Sequence, residues 1–365
     1  MSSFNPRYHR QIILPEIGTT GQKKLDTSKV LVIGAGGLGS PILQYLTAAG
    51  IGTIGIVDFD TVDISNLHRQ ILYGQNSLGI NKAIAAKERL TDLNPEITIN
   101  VYPKKLTPKN AISIFSEYDI VVDGTDNFST RYLINDACII TNKPLVYGAI
   151  YKYEGQVAVF NYQNGPTYRC LFPEPPKAGT VPSCAEIGVL GVLPGIIGSM
   201  QANEVLKIIL QLGNVLSGKL LMYDSLTSQF SSFTIKRVES EITKILASAK
   251  NFETTNYNLF CGITQIKEIN AEKAFRSKKA MFIDVREPNE LPKIECLNPK
   301  YIPLGTLKEE LPSLNKERNI IVFCQSGIRS KKAVEILLES GFKKVSHIKE
   351  GAISLYENMP DLTGL

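Results

Sequence analysis

At 365 residues the chain exceeds the ~250–300 at which a single core stops growing, so two domains are expected. Apolar residues make up 43% and charged residues 21%, an ordinary globular balance, and no run of ~18 apolar residues could span a bilayer. The net charge of +5 comes from scattered lysines and short pairs such as Lys104-Lys105 and Lys331-Lys332. It reads as a solvated surface and not as a nucleic-acid patch.

Arg7, His9 and Arg10 open the chain with no apolar stretch behind them, so no signal peptide is read. Six cysteines do not make a disulfide scaffold, and reduced thiols in the cytoplasm are expected. A buried strand at 30–33 leads into a helix at 41–49 and a second strand at 53–58. Helical spacing follows over 82–93, extended sequence over 98–102, and a strand with polar ends over 119–127 ("DIVVDGTDN"). "PLVYGAI" and "GQVAVFN" continue the pattern, which predicts an α/β fold built on a mostly parallel, doubly wound sheet. A Pro- and Gly-rich loop spans 165–194, long enough to be functional. A long apolar helix, "PGIIGSMQANEVLKIILQLG", and strands near 220–223 and 229–235 come next. The first domain is therefore drawn as 1–240, a polar linker as 241–263, and a small α/β domain as 264–365. That last domain reads strand ("AMFIDVRE"), strand ("NIIVFC"), helix ("SKKAVEILLESGF"), strand ("KVSHI").

The segment "VLVIGAGGLGSPILQYL" has Gly34-x-Gly36-x-x-Gly39, with Gly37 beside them and Asp58 following 19 residues after Gly39. A glycine turn before a helix offers backbone N–H groups and a positive helix end to an anion. By itself it fits NAD, FAD, S-adenosylmethionine and ATP sites alike. The next strand end, "DFDTVDISNLHRQ", adds Asn66, Arg69 and Gln70, and Lys82 follows. Arg69 and Lys82 suit the charge of a triphosphate. "DGTDN" contributes Asp123 and Asp126, oxygen donors suited to Mg²⁺.

"RYHRQIILPEIG", "GAGGLGS", "DFDTVDISNLHRQ", "GTDNFSTR" and "SCAEIGVLGVLPGIIGSMQANEVLK" together resemble the MoeB/ThiF (HesA) family of ubiquitin-activating-like adenylyltransferases. The resemblance runs over about residues 5–237. It implies a Rossmann-like adenylation domain that uses ATP and Mg²⁺. Its partner would be a small ubiquitin-like sulfur-carrier protein ending in Gly-Gly, whose C-terminal glycine is adenylated with release of pyrophosphate. By the same resemblance Asp58 would bind the ribose hydroxyls, Asn66, Arg69 and Lys82 would face the phosphates, and Asp126 would hold Mg²⁺. Arg10 would reach into a partner subunit's site, implying a homodimer. Cys184, in "VPSCAEIG", stands where related enzymes carry a cysteine that can link covalently to the carrier.

The family usually binds one structural zinc through two C-x-x-C pairs. Here the pairs read "TYRC" and "NLFCG", with Thr167 and Asn258 replacing the first cysteines and only Cys170 and Cys261 kept. No zinc is expected. Cys138 lies in an apolar helical context and reads as core, and Cys296 receives no assignment. The three histidines are too few and scattered for a catalytic or metal cluster.

Cys324 is different: a buried strand, the cysteine, then a short loop with Gly327, Arg329 and a helix start. Inward loop amides and the helix dipole favour a thiolate or persulfide there. With "FIDVREPNE" upstream and the C-x₄-R spacing from Cys324 to Arg329, the last hundred residues resemble a rhodanese domain. The longer C-x₅-R loop of cysteine phosphatases does not match. "LPKIECLNPKYIPL" lacks the usual G-H-I-x-G-A segment and the chain has no tryptophan, which leaves a docking module open as an alternative. Asp284 and Arg286 read as buttresses of the loop. The resemblance implies a persulfide sulfur donor and a thiocarboxylate product, for molybdopterin, thiamine, cysteine or tRNA thiolation. An NAD(P)-dependent oxidoreductase is the remaining alternative.

Overall fold

The structure is a computed structural model that describes residues 6–176, 188–262, 266–277 and 279–358. The chain divides into two compact units, Met1–Cys261 and Gly262–Leu365.

The first unit is built on eight strands: β1 (Lys29–Ile33), β2 (Thr53–Val57), β3 (Thr98–Tyr102), β4 (Ile120–Asp123), β5 (Leu145–Tyr151), β6 (Glu154–Phe160), β7 (Lys219–Asp224) and β8 (Gln229–Thr234). They lie in the order β3-β2-β1-β4-β5-β6-β7-β8. The first five in that order run parallel, as the alternation of strands and helices predicts. From β5 onward the pairing is antiparallel. The reversal follows from a two-residue turn at Lys152, whose φ of +52° closes the β5–β6 hairpin. The apolar run of β1 reflects burial on both faces, with Val30 and Val32 in one core cluster and Leu31 and Ile33 in the other. The strand order turns back between β1 and β4, and a crevice opens beyond the carboxyl ends of strands at such a point.

The helix Leu193–Leu210 ends earlier than its apolar sequence suggests, because Gln211 takes a left-handed conformation at its C-cap (φ +58°). The helix Gly18–Thr27 carries little periodic signal and buries only Gly21, Gln22 and Leu25, whereas Pro108–Phe115 buries Ala111, Ile114 and Phe115 at helical spacing. The stretch expected as a linker differs most. Up to Cys261 it forms the short helices Glu239–Ala247, Ala249–Thr254 and Tyr257–Phe260. Phe252, Tyr257 and Cys261 are buried in the cluster that holds Phe115 and Tyr132. Ile242, Ile245 and Leu246 keep helical spacing in the first of these helices, but beyond it the large apolar residues fall at irregular intervals.

The second unit has five parallel strands: β9 (Lys267–Ile269), β10 (Met281–Asp284), β11 (Lys300–Tyr301), β12 (Ile320–Phe323) and β13 (Val345–Ile348). Their order is β11-β10-β12-β13-β9. β12 lies at the centre, with Ile320 and Val322 facing one core and Ile321 and Phe323 the other. Among the described residues no helix is long and apolar enough to cross a membrane.

Candidate active sites

In the first unit the glycine turn lies at the end of β1, at the switch point. A Cβ on Gly34 would come within 2.9 Å of the Gly124 carbonyl beyond β4, and one on Gly39 within 2.0 Å of the Gly34 carbonyl. Those two glycines allow backbone to pass backbone. A Cβ on Gly36 would meet nothing closer than Gln70 Nε2 at 3.7 Å, so space there is open to an incoming group. Gly37 faces the Pro194 ring, which a Cβ at that position would approach to 3.1 Å. The helix Gly39–Ala49 starts here with no side-chain cap at Leu38, and such a start presents backbone N–H groups to an anion.

Asp58, just past β2, ties this turn to the second strand. One carboxylate oxygen accepts from the Ala35 amide at 2.8 Å and the other from the Asp60 amide at 2.9 Å. Burial pushes its carboxyl above the ordinary range despite those hydrogen bonds. Tyr73, which no sequence motif singles out, makes a second tie. Its hydroxyl lies 2.8 Å from the Ala35 carbonyl and 3.1 Å from that of Lys82, so Lys82 starts its helix beside the turn. The Lys82 side chain is 9% exposed and its Nζ lies 3.3 Å from Asp60 Oδ2.

Asn66 and Arg69 follow on the crossing segment. Asn66 Oδ1 accepts from the Asp63 amide, closing a short capped turn, and Arg69 Nη1 donates to the Ser65 carbonyl at 3.0 Å. Buried Gln70 has an Oε1 without a partner. Beyond β4, Asp123 accepts from the Thr125 amide and hydroxyl, while its Oδ2 is buried without a partner. Asp126 is exposed, and the helix Phe128–Thr141 is capped by Asn127 instead.

Arg10 is not brought to this cluster. Its helix, His9–Ile12, is held at the far end of Gly39–Ala49, where Gln11 donates to the Ala49 carbonyl and the Tyr8 ring abuts Gly50. The 11 residues of that helix separate Arg10 from the glycine turn by roughly 16 Å. Cys184 lies outside the described residues.

At the broken cysteine pairs, the Thr167 and Val238 amides donate to Cys170 Sγ at 3.3 Å each. Burial pushes the Cys261 thiol up to about 11. Close by, Asp136 is a buried carboxylate with every oxygen engaged. Arg169 grips it at 2.7 and 2.8 Å, Asn135 donates at 2.9 Å and the Tyr257 hydroxyl at 2.9 Å. The guanidinium lies over the Tyr132 and Phe260 rings, 4.8 and 4.7 Å from their centroids. Asp136→Asn should therefore lower unfolding free energy by ~3–5 kcal/mol, since it leaves a buried cation uncompensated. Urea denaturation measures this, and a loss under ~1 kcal/mol would contradict the cluster's structural weight.

In the second unit Cys324 lies at the end of β12, 1% exposed. Its carbonyl accepts from the Ala352 amide at 2.8 Å, and its Sγ lies 3.6 Å from Ser330 Oγ. The loop reaches helix Ile328–Glu339 through Gly327, whose φ is +85°. Asp284 and Arg286 form a fully buried ion pair at 2.7 Å, and Arg286 Nη1 donates to Gln325 Oε1 of the loop at 2.9 Å. They do buttress the loop. Arg329 is held outside by a two-pronged pair with Glu290, at 2.5 and 2.6 Å, which holds the Glu290 carboxyl down to about 2. Ser330 and His347 complete the surroundings; no motif signals His347, because 23 residues separate it from the cysteine.

The ThiF family pattern matches residues 8–243, and the rhodanese-like domain pattern matches 269–356. The "Probable adenylyltransferase/sulfurtransferase MoeZ" of Mycobacterium tuberculosis is 40% identical over 98% of this chain and 94% of its own. The "Adenylyltransferase and sulfurtransferase MOCS3" of Dictyostelium discoideum is 38% identical over 97% of this chain and 95% of its own. The "Sulfur carrier protein adenylyltransferase" of Thermus thermophilus is 50% identical over 70% of this chain and 96% of its own. Among solved structures, E. coli MccB with ATP shares the fold, with a TM-score of 0.56 at 23% identity, over 64% of this chain and 73% of that one. The chain thus belongs to the ThiF family, as an ATP-using adenylyltransferase joined to a rhodanese-like sulfurtransferase domain.

Proposed function

We propose that the first unit transfers AMP from ATP to the C-terminal carboxylate of a small ubiquitin-like sulfur-carrier protein ending in Gly-Gly. The second unit then brings persulfide sulfur: its outer sulfur displaces AMP to give an acyl disulfide on Cys324, and a thiol reductant attacks the Cys324 sulfur, leaving a disulfide there and freeing the thiocarboxylate. The observation that carries this reading is the crevice beyond β1 and β2, where an open turn at Gly36 meets Asp58 and, through Tyr73, Lys82. Gly34, Gly36, Gly37 and Gly39 let the nucleotide phosphates approach the backbone, and Asp58 accepts from the ribose hydroxyls. The carrier carboxylate attacks the α-phosphorus; an acyl–phosphate bond forms, the α–β bond breaks, and the electron pair leaves with pyrophosphate. Asn66, Arg69 and Lys82 offset the negative charge that builds on the way.

Mg²⁺ fits the carboxylates beyond β4, since Asp123 Oδ2 is buried without a partner and Asp126 stands exposed three residues on. Asp126 would hold the ion. Among the described residues no three such side chains gather, so most of its oxygens would be phosphate and water, as Mg²⁺ prefers. Bound there, it would supply positive charge against the phosphates. Cys324 accepts the donor's sulfur, and Cys184 is a second thiol for the carrier to meet. The likeness to adenylyltransferase/sulfurtransferases favours a cytoplasmic setting and a thiolation pathway such as molybdopterin assembly.

ATP–pyrophosphate exchange that depends on an added Gly-Gly carrier tests the reading. Exchange that ignores the carrier, or none with any carrier, overturns it. Arg10 serves a homodimer if each copy lends it to the other, which its distance from its own turn favours. Mixing Arg10→Ala with Lys82→Ala chains should then restore roughly a quarter of wild-type exchange, because half the dimers regain one intact site. Two inactive variants that stay inactive when mixed rule out supply in trans.

A further inference from the structure

Cys324, Ser330 and His347 form a buried line of polar atoms. Cys324 Sγ lies 3.6 Å from Ser330 Oγ, which lies 3.1 Å from His347 Nδ1. All three residues are at most 2% exposed. The other ring nitrogen, Nε2, faces the Glu268 carboxylate of β9 at 3.7 Å. That charge favours the tautomer with its proton on Nε2 and leaves Nδ1 as the acceptor. The Ser330 hydroxyl then donates to Nδ1, and its lone pairs are left to the Cys324 thiol. The Gly327 carbonyl, 3.0 Å from the same hydroxyl, competes for that one hydrogen.

We propose that His347 is the proton acceptor for Cys324, acting through Ser330 as a positioning residue that readies the sulfur for attack on a persulfide donor. This rests on the reading of Cys324 as the sulfur acceptor. Cys324 passes its proton to Ser330 Oγ while Ser330 passes its own to His347 Nδ1. The thiolate pair forms a bond to the donor's outer sulfur, the donor's S–S bond breaks, and its pair leaves on the inner sulfur. The proton held on His347 balances that leaving thiolate. A thiol and a persulfide give a persulfide and a thiol, with no net oxidation.

The surroundings suit the role. Burial pushes the imidazole below its ordinary value, against the pull of Glu268, and keeps it neutral and able to accept at neutral pH. Lys331, on the helix Ile328–Glu339, also opposes a second proton. Lys349 lies 3.7 Å from the other Glu268 oxygen and tempers that carboxylate. Glu268, 45% exposed, gives the ring its nearest link to solvent.

The full chain should be treated with glutathione persulfide, and the gain of one sulfur on Cys324 followed by mass spectrometry between about pH 6 and pH 10. Near pH 7, His347→Gln and Ser330→Ala should each slow this step ~10-fold or more. Both should approach the wild-type rate near pH ~10, where thiols ionise unaided. Ser330→Thr, which keeps the hydroxyl, should react at close to the wild-type rate. Ser330→Ala carries the test if His347→Gln fails to fold. Rates lowered equally at every pH, or not lowered at all, overturn the relay alone. A wild-type chain that gains no sulfur on Cys324 overturns the sulfur-acceptor reading itself, and the relay falls with it.

Discussion

Lys82→Ala is expected to lower carrier-dependent ATP–pyrophosphate exchange by ~10²–10³-fold, the scale for removing one charge-stabilising group from a preorganised site. The ammonium is almost wholly shielded from water, and its paired carboxylate, Asp60, is half exposed. A charge in that setting acts on a nearby phosphate through a lower dielectric than a surface lysine would. Stability should scarcely change, because Asp60 without its partner remains hydrated. Exchange should therefore collapse in a protein that melts normally. Arg69→Ala should cost about 10²-fold, since Arg69 is more open to water and anchored only through local contacts. Near-normal exchange in both variants, with carrier present, would remove the ATP-site assignment.

Cys324→Ala should abolish thiocarboxylate formation from a persulfide donor while leaving pyrophosphate exchange at the wild-type rate. The two chemistries lie in separate folded units, and the substitution removes a single sulfur from a loop pinned by other contacts. Those contacts are the Cys324 carbonyl to Ala352 and Arg286 to Gln325, and neither uses the thiol. Inorganic sulfide should partly rescue the variant, since the acyl-adenylate still forms and sulfide can attack it directly. Normal thiocarboxylate yield from the persulfide donor alone would make the second unit a docking module.

What was legible in the sequence lies in short contiguous runs. Gly34 to Gly39, Asp58 to Gln70 and Cys324 to Ser330 each sit at a strand end followed by a helix or turn. There the order of residue types reports the backbone geometry. What the sequence hides depends on the fold bringing distant residues together. Tyr73 acts by bridging two carbonyls whose residues are far apart in sequence. Asp136 meets Arg169 across 33 residues and Tyr257 across 121. β9 and β11 are too short and polar to show a period, and they are held by their neighbours in the sheet.

The Asp136 cluster also decides where this protein can be cut and rejoined. The ThiF family pattern matched in this chain ends at residue 243, yet the packed body runs on to Cys261. A hybrid spliced at 243 would lose Phe252 from the core, the Tyr257 hydroxyl from Asp136 and the Phe260 ring from Arg169. One spliced at 262 would keep them all. The unit that recombination can exchange without damage is thus longer than the matched family pattern. Residues 244–261 belong by physics to the adenylating half, whatever sulfur-handling partner a genome joins after them.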